Sequence, residues 1–405
     1  MRRAFWIAVL VLVLLVAVLG TINYLRPVPL VQSRALVGTT LTVGQAPSFT
    51  WPQGTEDAIG TASLGVLAQT PSQSPQPTGS VAKVMTALVV LQKMPLAVGQ
   101  QGPSITISAA DQATQEQDAA AGQSTVPVVA GEVLTEYQAL QGMLLPSGNN
   151  LAVLLAGWAY GSIGAALTAM TSEAKELGLA QTTFTDPSGF DPSTTSTPAD
   201  LVRLGAAAMQ NPVIAQVVGQ AQATLPVAGQ VDNVNSVLGQ AGIVGIKTGN
   251  TTGQNGAFLF AAPDSTIPGQ LIVGAVMGGA DLNQALADSV PLVEQAQQAL
   301  RMQTILAARS AVAEAGAPWD ETVPISTEKT LSVAAWGGRQ AHLEVRVKVL
   351  AAPIRQGEPV GTLTVTFGSR TLTTPLVTAA PLTAPPWNWR LLRRPPYVPA
   401  ADWPD

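Results

Sequence analysis

The residues best suited to chemistry in this sequence are a serine and a lysine three positions apart, Ser80 and Lys83, at the start of an apolar run that stops at Pro95. Positions i and i+3 of a helix share a face, so this spacing places a hydroxyl beside an amine. The pair predicts a nucleophile and its base, although a helix-capping serine next to a solvated lysine has the same spacing. Ser172 and Lys175 repeat the spacing between glutamates, which predicts an exposed helix face.

Two further short motifs follow along the chain. Ser147-Gly-Asn149 lies between two predicted helices, and Lys247-Thr-Gly249 lies within a predicted buried strand. Either motif alone is compatible with turn chemistry, in which serine and asparagine cap a helix and glycine closes a hairpin. Because the chain has only six lysines and two of them fall in these motifs, we predict that the motifs meet at one site.

Composition limits the chemistry available to such a site. The chain has no cysteine and one histidine, His342, which lies among alternating apolar residues and is predicted to be a strand surface residue. Thiol catalysis, a histidine-based triad and a multi-histidine zinc site are therefore excluded, so a serine nucleophile needs lysine or a carboxylate as its base. Sparse charge with a formal net value of −5 predicts no nucleic-acid partner.

Residues 1–26 join a basic tip, Arg2 and Arg3, to a run of about 19 mostly apolar residues, which is long enough to cross a bilayer. A cleaved signal peptide is the competing interpretation, but its apolar region is usually shorter and its small-residue cleavage site is poorly formed here. We favour a single-pass membrane anchor with everything after residue 26 on the outer, extracytoplasmic side. Cleavage would instead make the protein secreted.

The rest of the chain divides by composition. Residues 27–55, rich in Pro, Thr, Gly and Ser, are predicted to be a linker, and residues 56–315 a catalytic domain that ends in a long helix, 281–315. Residues 316–380 carry alternating and β-branched segments, which predict a small separate β domain. The tail, 381–405, is rich in Pro, Trp and Arg, and it either lacks fixed structure or lies at a membrane surface.

Finer expectations concern the catalytic domain. The apolar run 151–170 predicts one helix, and 58–68 predicts one strand weakened by glycines. Residues 242–260 and 270–278 predict a pair of neighbouring buried strands.

With the three motifs in this order, the sequence resembles the serine-type D-alanyl-D-alanine carboxypeptidases, low-molecular-mass penicillin-binding proteins that trim cell-wall peptides. The resemblance covers roughly residues 58–278, includes the loop at 184–190 and places Asn233 and Asn235 as in the family. The run 352–361 looks like the family's C-terminal domain. The fold implied is α+β: a penicillin-binding/β-lactamase-like catalytic domain, with an antiparallel sheet flanked by helices and an all-helical subdomain, followed by a small β domain.

The same resemblance implies roles for individual residues. The catalytic residues would be Ser80, Lys83 and Ser147. The substrate-binding residues would be Asn149, Lys247, Thr248, Gly249 and Asn250. The substrate would be a peptidoglycan stem peptide that loses its terminal D-alanine through an acyl-enzyme, and β-lactam antibiotics would inhibit the reaction. No metal or organic cofactor is implied.

These roles require an uncharged Lys83. A free lysine with a pKa of about 10.4 is mostly protonated at neutral pH, and its neutral form costs about 4–5 kcal/mol. Burial lowers the pKa of a lysine, and so does a neighbouring positive charge, which Lys247 provides if its strand lies beside the helix of Ser80. The resemblance also implies an oxyanion hole formed by the amides of Ser80 and Asn250.

One departure from the family leaves alternatives open. Members often place an arginine shortly after the third-motif strands to bind the substrate carboxylate, and the corresponding run, 277–283, has none. Arg203 and Arg301 are candidate substitutes, and without one an endopeptidase becomes an alternative. A β-lactamase is a further alternative, but the loop with Asp186 and Asp191 lacks the glutamate that class A enzymes use. A cell-wall binding protein with a relic site is the non-enzyme alternative.

Overall fold

The structure, a computed structural model, describes residues 2–251, 254–265, 267–368 and 370–394. The helices are α1 (Arg2–Leu25), α2 (Lys83–Lys93), α3 (Ala109–Ala120), α4 (Glu136–Leu144), α5 (Asn149–Tyr160), α6 (Ile163–Glu176), α7 (Pro198–Ala208), α8 (Pro212–Val218), α9 (Leu282–Ala299) and α10 (Trp387–Leu392). The first strands are β1 (Gln32–Ala35), β2 (Thr40–Val43), β3 (Glu56–Thr61), β4 (Gly65–Gln69), β5 (Gln76–Pro77), β6 (Ser104–Thr106), β7 (Val133–Thr135), β8 (Thr195–Ser196), β9 (Gln222–Leu225) and β10 (Gly229–Asp232). The later strands are β11 (Gly245–Thr251), β12 (Gln254–Pro263), β13 (Leu271–Gly279), β14 (Arg301–Leu306), β15 (Ala311–Ala317), β16 (Glu321–Thr327), β17 (Leu331–Ala335), β18 (Arg339–Val347), β19 (Pro359–Phe367) and β20 (Arg370–Thr378).

The chain forms two compact units. The first, which we call the mixed unit, comprises Gln45–Met302 and Ala334–Gly337. The second, which we call the β unit, comprises Met1–Gly44, Gln303–Val333 and Gly338–Asp405. Each unit therefore draws on segments that are far apart in the sequence.

The mixed unit is built on a five-stranded antiparallel sheet with the strand order β11-β12-β13-β3-β4. Side chains along β12 alternate between its faces: Phe258 and Phe260 join one buried cluster with Leu286 and Val293 of α9, whereas Leu259 joins the cluster formed with α2, α4, α5 and α7. Both faces of the strand are apolar because helices cover both. The predicted α+β fold is confirmed, and so is the pairing of the two predicted buried strands.

Two local predictions in this unit were wrong. The run 151–170 is broken where Gly161, with φ of 78°, ends α5 and Ser162 caps α6, and the two helices meet at 89°. A left-handed glycine is a common helix end, but the apolar pattern on both sides of it predicted continuity. The run 58–68 is a hairpin of β3 and β4 instead of one strand, with Gly65 at φ of 68° after the turn.

The β unit contains a seven-stranded antiparallel sheet with the order β1-β15-β16-β20-β19-β18-β2. It differs from the predicted domain boundaries at both ends. Residues 27–55, predicted as a linker, supply β1 and β2, which pair with β15 and β18. The predicted helix 281–315 ends at Ala299, and the chain continues as β14 and β15. The alanine content of 300–315 favours helix. The strand partner of β15 lies about 280 residues earlier, so no local sequence pattern could predict this pairing.

Helices α1 and α10 both belong to the β unit. Part of the tail 381–405 is therefore helical, at Trp387–Leu392. Residues 395–405 lie outside the described part of the chain.

Asp57 is a carboxylic acid inside the sheet of the mixed unit. It lies in β3 and is 0% exposed; Oδ2 accepts a hydrogen bond from Thr55 Oγ1 at 3.0 Å, and Oδ1 has no partner among the described residues. Burial raises the pKa of Asp57 to about 7, with smaller upward contributions from Asp288 and Glu56 and an opposing one from Thr55. The folded protein therefore holds a proton here at pH values where the unfolded chain has lost it.

We predict that Asp57→Asn stabilises the protein increasingly as the pH rises. Because the folded pKa lies above the unfolded value, wild-type stability falls between about pH 4 and pH 7. Asparagine does not titrate, so its advantage in the free energy of unfolding should be small near pH 4 and reach ~1–3 kcal/mol at pH 8. Urea unfolding at both pH values measures this, with the exposed Asp232→Asn as control. An advantage of Asp57→Asn that does not change with pH would contradict the prediction.

Candidate active site

Ser80 lies in the short 3-10 turn Gly79–Ala82, and Lys83 is the first residue of α2. Helix α2 is surrounded by the apolar core, so Lys83 is completely buried, while Ser80 remains partly exposed. Lys83 Nζ lies 2.6 Å from Ser80 Oγ. The structure therefore places the predicted serine–lysine pair at hydrogen-bond distance.

Two carbonyl oxygens also hold the Lys83 amine. It donates to Asn149 Oδ1 at 2.6 Å and to the Ser188 carbonyl at 3.0 Å. Both oxygens can only accept, so a neutral amine satisfies them with its two N–H groups and keeps its lone pair for the hydroxyl of Ser80.

Electrostatics favours the same protonation state. Burial lowers the pKa of Lys83 well below its ordinary value, the positive charge of Lys247 lowers it further, and Asp186 partly opposes both effects. Lys247 itself lies in β11 and is 2% exposed, and burial lowers its pKa to about 7. Both directions agree with the expectation that Lys247 disfavours a proton on Lys83.

The strand that carries Lys247 reaches the Ser80 turn through close backbone contact. A Cβ atom on Gly79, whose φ is 50°, would lie 2.7 Å from Asn250 N, and any side chain on Gly249 would collide with the carbonyl of Thr78. Thr248 is buried, and its hydroxyl and carbonyl oxygens lie 3.3 Å from the amine of the preceding lysine. The first and third motifs therefore meet, as the sequence predicted.

The second motif lies between α4 and α5. Asn149 begins α5, and its Nδ2 donates to Gln123 Oε1 at 2.7 Å while its Oδ1 accepts from Lys83. Ser147 is 5% exposed, has a positive φ of 71°, and its hydroxyl has no hydrogen-bond partner among the described residues. The structure ties Asn149 directly to Lys83 and leaves the Ser147 hydroxyl available.

The loop 184–190 completes the surroundings of Lys83. Asp186 accepts hydrogen bonds from the backbone N–H groups of Ser188 and Phe190, both at 3.1 Å, and from Thr194 Oγ1 at 2.7 Å. These bonds fold the loop so that the Ser188 carbonyl reaches the amine.

Sequence reasoning missed two groups of this site, the Ser188 carbonyl and the Gln123 amide. A backbone carbonyl has no signature of its own, because every residue has one. The available signal was Asp186, whose position two residues before a serine favours a tight turn.

A cleft of about 360 Å³ opens beside these groups. Ser80 and Asn149, from the first two motifs, line it together with Gln123, Phe190 and Asn250, the residue that follows the third motif. A peptide in this cleft would contact the hydroxyl of the nucleophile directly.

The two candidate arginines are engaged elsewhere. Arg203 forms a salt bridge with Asp200 at 2.7 Å, and Arg301 donates to the carbonyls of Gln297 and Leu300. Neither lines the cleft. Neither residue therefore replaces the arginine that is missing from the run 277–283.

Other residues that could have competed for a role lie at the surface. Ser172 and Lys175 are exposed on α6, as predicted for the second copy of the spacing. His342 is exposed in β18, which confirms its predicted position on a strand surface. Within the described ranges, no cluster of acidic and histidine side chains could hold a metal ion.

Known proteins share this sequence pattern. The family model described as D-alanyl-D-alanine carboxypeptidase matches residues 58–280. The D-alanyl-D-alanine carboxypeptidase DacB2 of Mycobacterium tuberculosis is 33% identical over 247 residues, which cover 59% of this chain and 78% of that protein. The D-alanyl-D-alanine carboxypeptidase of Streptomyces sp. (strain K15) is 27% identical over 274 residues, covering 62% and 91%.

Solved structures share the fold. The Streptomyces K15 DD-transpeptidase aligns with a TM-score of 0.54 and 25% identity over 61% of this chain and 98% of that chain. Penicillin binding protein 5 from Haemophilus influenzae aligns with a TM-score of 0.60 and 19% identity over 83% and 100%. Fold and site thus define a serine hydrolase of the penicillin-binding type. The chain belongs to the D-alanyl-D-alanine carboxypeptidase family, and its enzyme class is serine-type D-Ala-D-Ala carboxypeptidase.

We predict that Gly79→Ala destabilises the protein by ~1–3 kcal/mol, because alanine is strained at positive φ and its methyl group would force β11 away from the Ser80 turn. The control is Gly164→Ala on the exposed face of α6, where a methyl group meets open space. That change should be neutral or stabilise by up to ~1 kcal/mol. Urea unfolding measures both, and equal stability of the two variants would show that the close contact is unimportant.

Proposed function

We propose that this protein is a membrane-anchored, extracytoplasmic carboxypeptidase that removes the terminal D-alanine of peptidoglycan stem peptides through an acyl-enzyme on Ser80. One observation carries the proposal: the buried Lys83 amine lies 2.6 Å from Ser80 Oγ and gives its other hydrogen bonds to two carbonyl oxygens. An uncharged lysine in this position is a general base for its serine.

Acylation begins when Ser80 Oγ attacks the carbonyl carbon of the penultimate D-alanine. The hydroxyl proton passes to Lys83 and from there, through the Ser147 hydroxyl, to the nitrogen of the leaving D-alanine as the C–N bond breaks, so that Lys83 and Ser147 both end the step in their starting protonation states. The backbone N–H groups of Ser80 and Asn250 are assigned to the oxyanion, where one donor is typically worth about 10²–10³ in rate. The close approach of Gly79 to Asn250 N supports that assignment.

Deacylation uses the same groups in reverse order. Once the leaving nitrogen has been protonated, Lys83 is again uncharged and takes a proton from water. The hydroxide attacks the ester, and the proton returns to Ser80 Oγ.

Substrate binding falls to the remaining motif residues. Lys247 and Thr248 are assigned to the terminal carboxylate, since a cation and a hydroxyl suit an anion. Asn149 is assigned to an amide carbonyl of the peptide through Nδ2. Gly249 keeps the strand bare of side chains where it passes the Ser80 turn. The carboxylate and strained amide of penicillins present the same groups, so β-lactams should acylate Ser80.

An endopeptidase remains the second candidate, because neither Arg203 nor Arg301 lines the cleft. A weaker grip on the terminal carboxylate would admit longer peptides. A β-lactamase is less well supported, because the Asp186 carboxylate is bound by the loop around it and is not placed to activate water.

The membrane anchor is supported by α1, a 24-residue apolar helix that has Arg2 and Arg3 and no acidic residue in its first turn. At 1.5 Å per residue it spans about 36 Å, enough for the hydrocarbon core. Its C-terminal end is held by Arg393, whose guanidinium donates to the carbonyls of Asn23 and Arg26. Attachment to the distal end of the chain favours a retained anchor over a cleaved signal.

We predict that a fluorescent penicillin labels the wild-type protein stably and leaves Ser80→Ala unlabelled, because the ester cannot form. Lys83→Ala should lower the acylation rate at least about 10²-fold, since it removes the base. Ser172→Ala, which changes the exposed copy of the spacing, should label like wild type. Release of D-alanine from a pentapeptide should follow the same order.

Other outcomes would redirect the assignment. Rapid turnover of the penicillin would indicate a β-lactamase, and absence of labelling would indicate a relic site. Cleavage of a cross-linked dimer without release of D-alanine from the pentapeptide would indicate an endopeptidase.

We predict that Lys247→Gln shifts the acidic limb of the penicillin acylation profile to higher pH. Only uncharged Lys83 is active, so the rate falls as the pH decreases through its pKa. Removing a neighbouring positive charge raises that pKa, and protonation then begins at a higher pH. Acylation rates measured from pH 5 to 10 report the shift. Lys175→Gln, on the exposed face of α6, should leave the limb unchanged, and a limb that stays fixed in Lys247→Gln would refute the electrostatic coupling.

A further inference from the structure

A second cavity, of about 740 Å³, lies within the β unit at the C-terminal end of α1. Three arginines line it, Arg26, Arg393 and Arg394, and so do the indole rings of Trp319 and Trp389. None of these residues belongs to the serine–lysine site. The cavity therefore needs its own explanation.

The cavity carries uncompensated positive charge. Burial lowers the pKa of Arg393, and the nearby positive charges of Arg26 and Arg390 lower it further. In the described part of the chain, no salt bridge involves these arginines or Arg394. Repulsion among cations in a concave site is relieved by a bound anion.

The arginines divide between holding the fold and facing the cavity. Arg393 donates to the carbonyls of Asn23, Arg26 and Pro27, which are neutral and leave its charge unpaired. Arg26 uses one nitrogen, Nη1, for Asn23 Oδ1 and the Arg394 carbonyl. The guanidinium of Arg394 has no hydrogen-bond partner among the described residues and is exposed. Arg26 and Arg394 thus keep donors for a ligand.

Two aromatic residues form part of the cavity wall, and a third is exposed next to it. Trp319 and Trp389 stack edge to face at 5.5 Å, and Trp389 Nε1 donates to the carbonyl of Pro318. Trp387 and Leu392 of α10 are 69% and 71% exposed. Exposed tryptophan and leucine beside arginine at the end of an apolar helix are typical of a bilayer interface.

An acidic side chain, Glu321, contacts the cavity wall through Trp319, but its carboxylate already accepts other hydrogen bonds. Glu321 accepts hydrogen bonds from Trp319 Nε1 at 2.9 Å and from the Thr383 hydroxyl at 2.6 Å. Those bonds hold the pKa of Glu321 below its ordinary value. One carboxylate bound in this way leaves the four arginines with a net positive charge.

We propose that this cavity binds the phosphate of an anionic lipid headgroup in the outer leaflet of the membrane. The planar guanidinium groups of Arg26 and Arg394 match the oxygens of a phosphate. Trp389, which also lines the cavity, offers an apolar surface to the rest of the headgroup. The inference rests on the proposed anchoring by α1, which brings the cavity to the surface of the bilayer. A free phosphate offers the same oxyanion, so the experiment must separate the two sources.

The test uses the full-length protein in neutral detergent micelles that contain equal amounts of phosphatidylglycerol and phosphatidylcholine, with native mass spectrometry to count bound lipid. We expect one phosphatidylglycerol to be retained at least about tenfold over phosphatidylcholine. Arg26→Gln and Arg394→Gln should each weaken its apparent affinity about fivefold, because one basic side chain near an anionic surface contributes a factor of that order. Arg34→Gln, which removes an exposed partner of Glu314 in the same unit, should have no effect.

Three results would overturn the proposal. Equal retention of the two lipids would remove the preference for an anionic headgroup. Unchanged retention in both arginine variants would place the lipid elsewhere. Displacement of the lipid by inorganic phosphate at the same concentration would assign the cavity to a free anion.

Two further measurements distinguish failure of the proposed enzyme function, or of the proposed anchoring, from failure of the lipid-binding proposal. Penicillin labelling of Ser80 reports the catalytic site in every variant. Resistance of the membrane-bound protein to alkaline extraction reports the anchoring of α1. Lipid retention in micelles depends on neither.

Discussion

The active site depends on keeping one buried amine uncharged. Lys83 lies inside the core, 2.6 Å from Ser80 Oγ, with a second buried lysine close enough to repel its proton. A charged Lys83 would have no carboxylate within hydrogen-bond distance among the described residues, because its partners are Ser80 Oγ and the carbonyl oxygens of Asn149 and Ser188. Three elements meet this requirement: the apolar helix α2 buries the amine, the strand β11 supplies the repelling charge, and the loop 184–190 supplies an acceptor.

Glycine is what lets these three pieces approach one another. Gly79, Gly189 and Gly249 lie where backbone meets backbone, and a side chain at any of them would overlap a main-chain atom of a neighbouring element. Their role is steric, since the groups that must come together are amides and carbonyls as well as side chains. A site assembled in this way tolerates little displacement, because its walls are the main chain itself.

The chain is slightly acidic, yet cations lie near the active-site cleft and at the cavity of the β unit. Lys247 is buried in the strand that reaches the Ser80 turn, and the arginines around Arg393 lie at the cavity of the β unit. In both places neutral oxygens accept the hydrogen bonds of the cation: those of Thr248 for Lys247, and the carbonyls of Asn23 and Arg26 for Arg393. Neutral partners fix a cation in position without cancelling its field, so each cavity retains attraction for an anion. Overall charge therefore says little about what either cavity binds.

Sequence alone determined the chemistry of this protein, because the nucleophile, its base and their cationic neighbour are side chains in short motifs. It also determined the buried helix at Lys83 and the central strands, whose patterns are local. Tertiary structure decided what depends on distant partners. Strand β1, in residues 27–55, pairs with a segment 280 residues away, and Asn23 meets Arg393 across 370 positions. Tertiary structure also decided that the Ser188 carbonyl accepts a hydrogen bond from Lys83 and that Arg203 pairs with Asp200 and does not line the cleft. Local sequence patterns predict neither backbone acceptors nor the surroundings of a side chain.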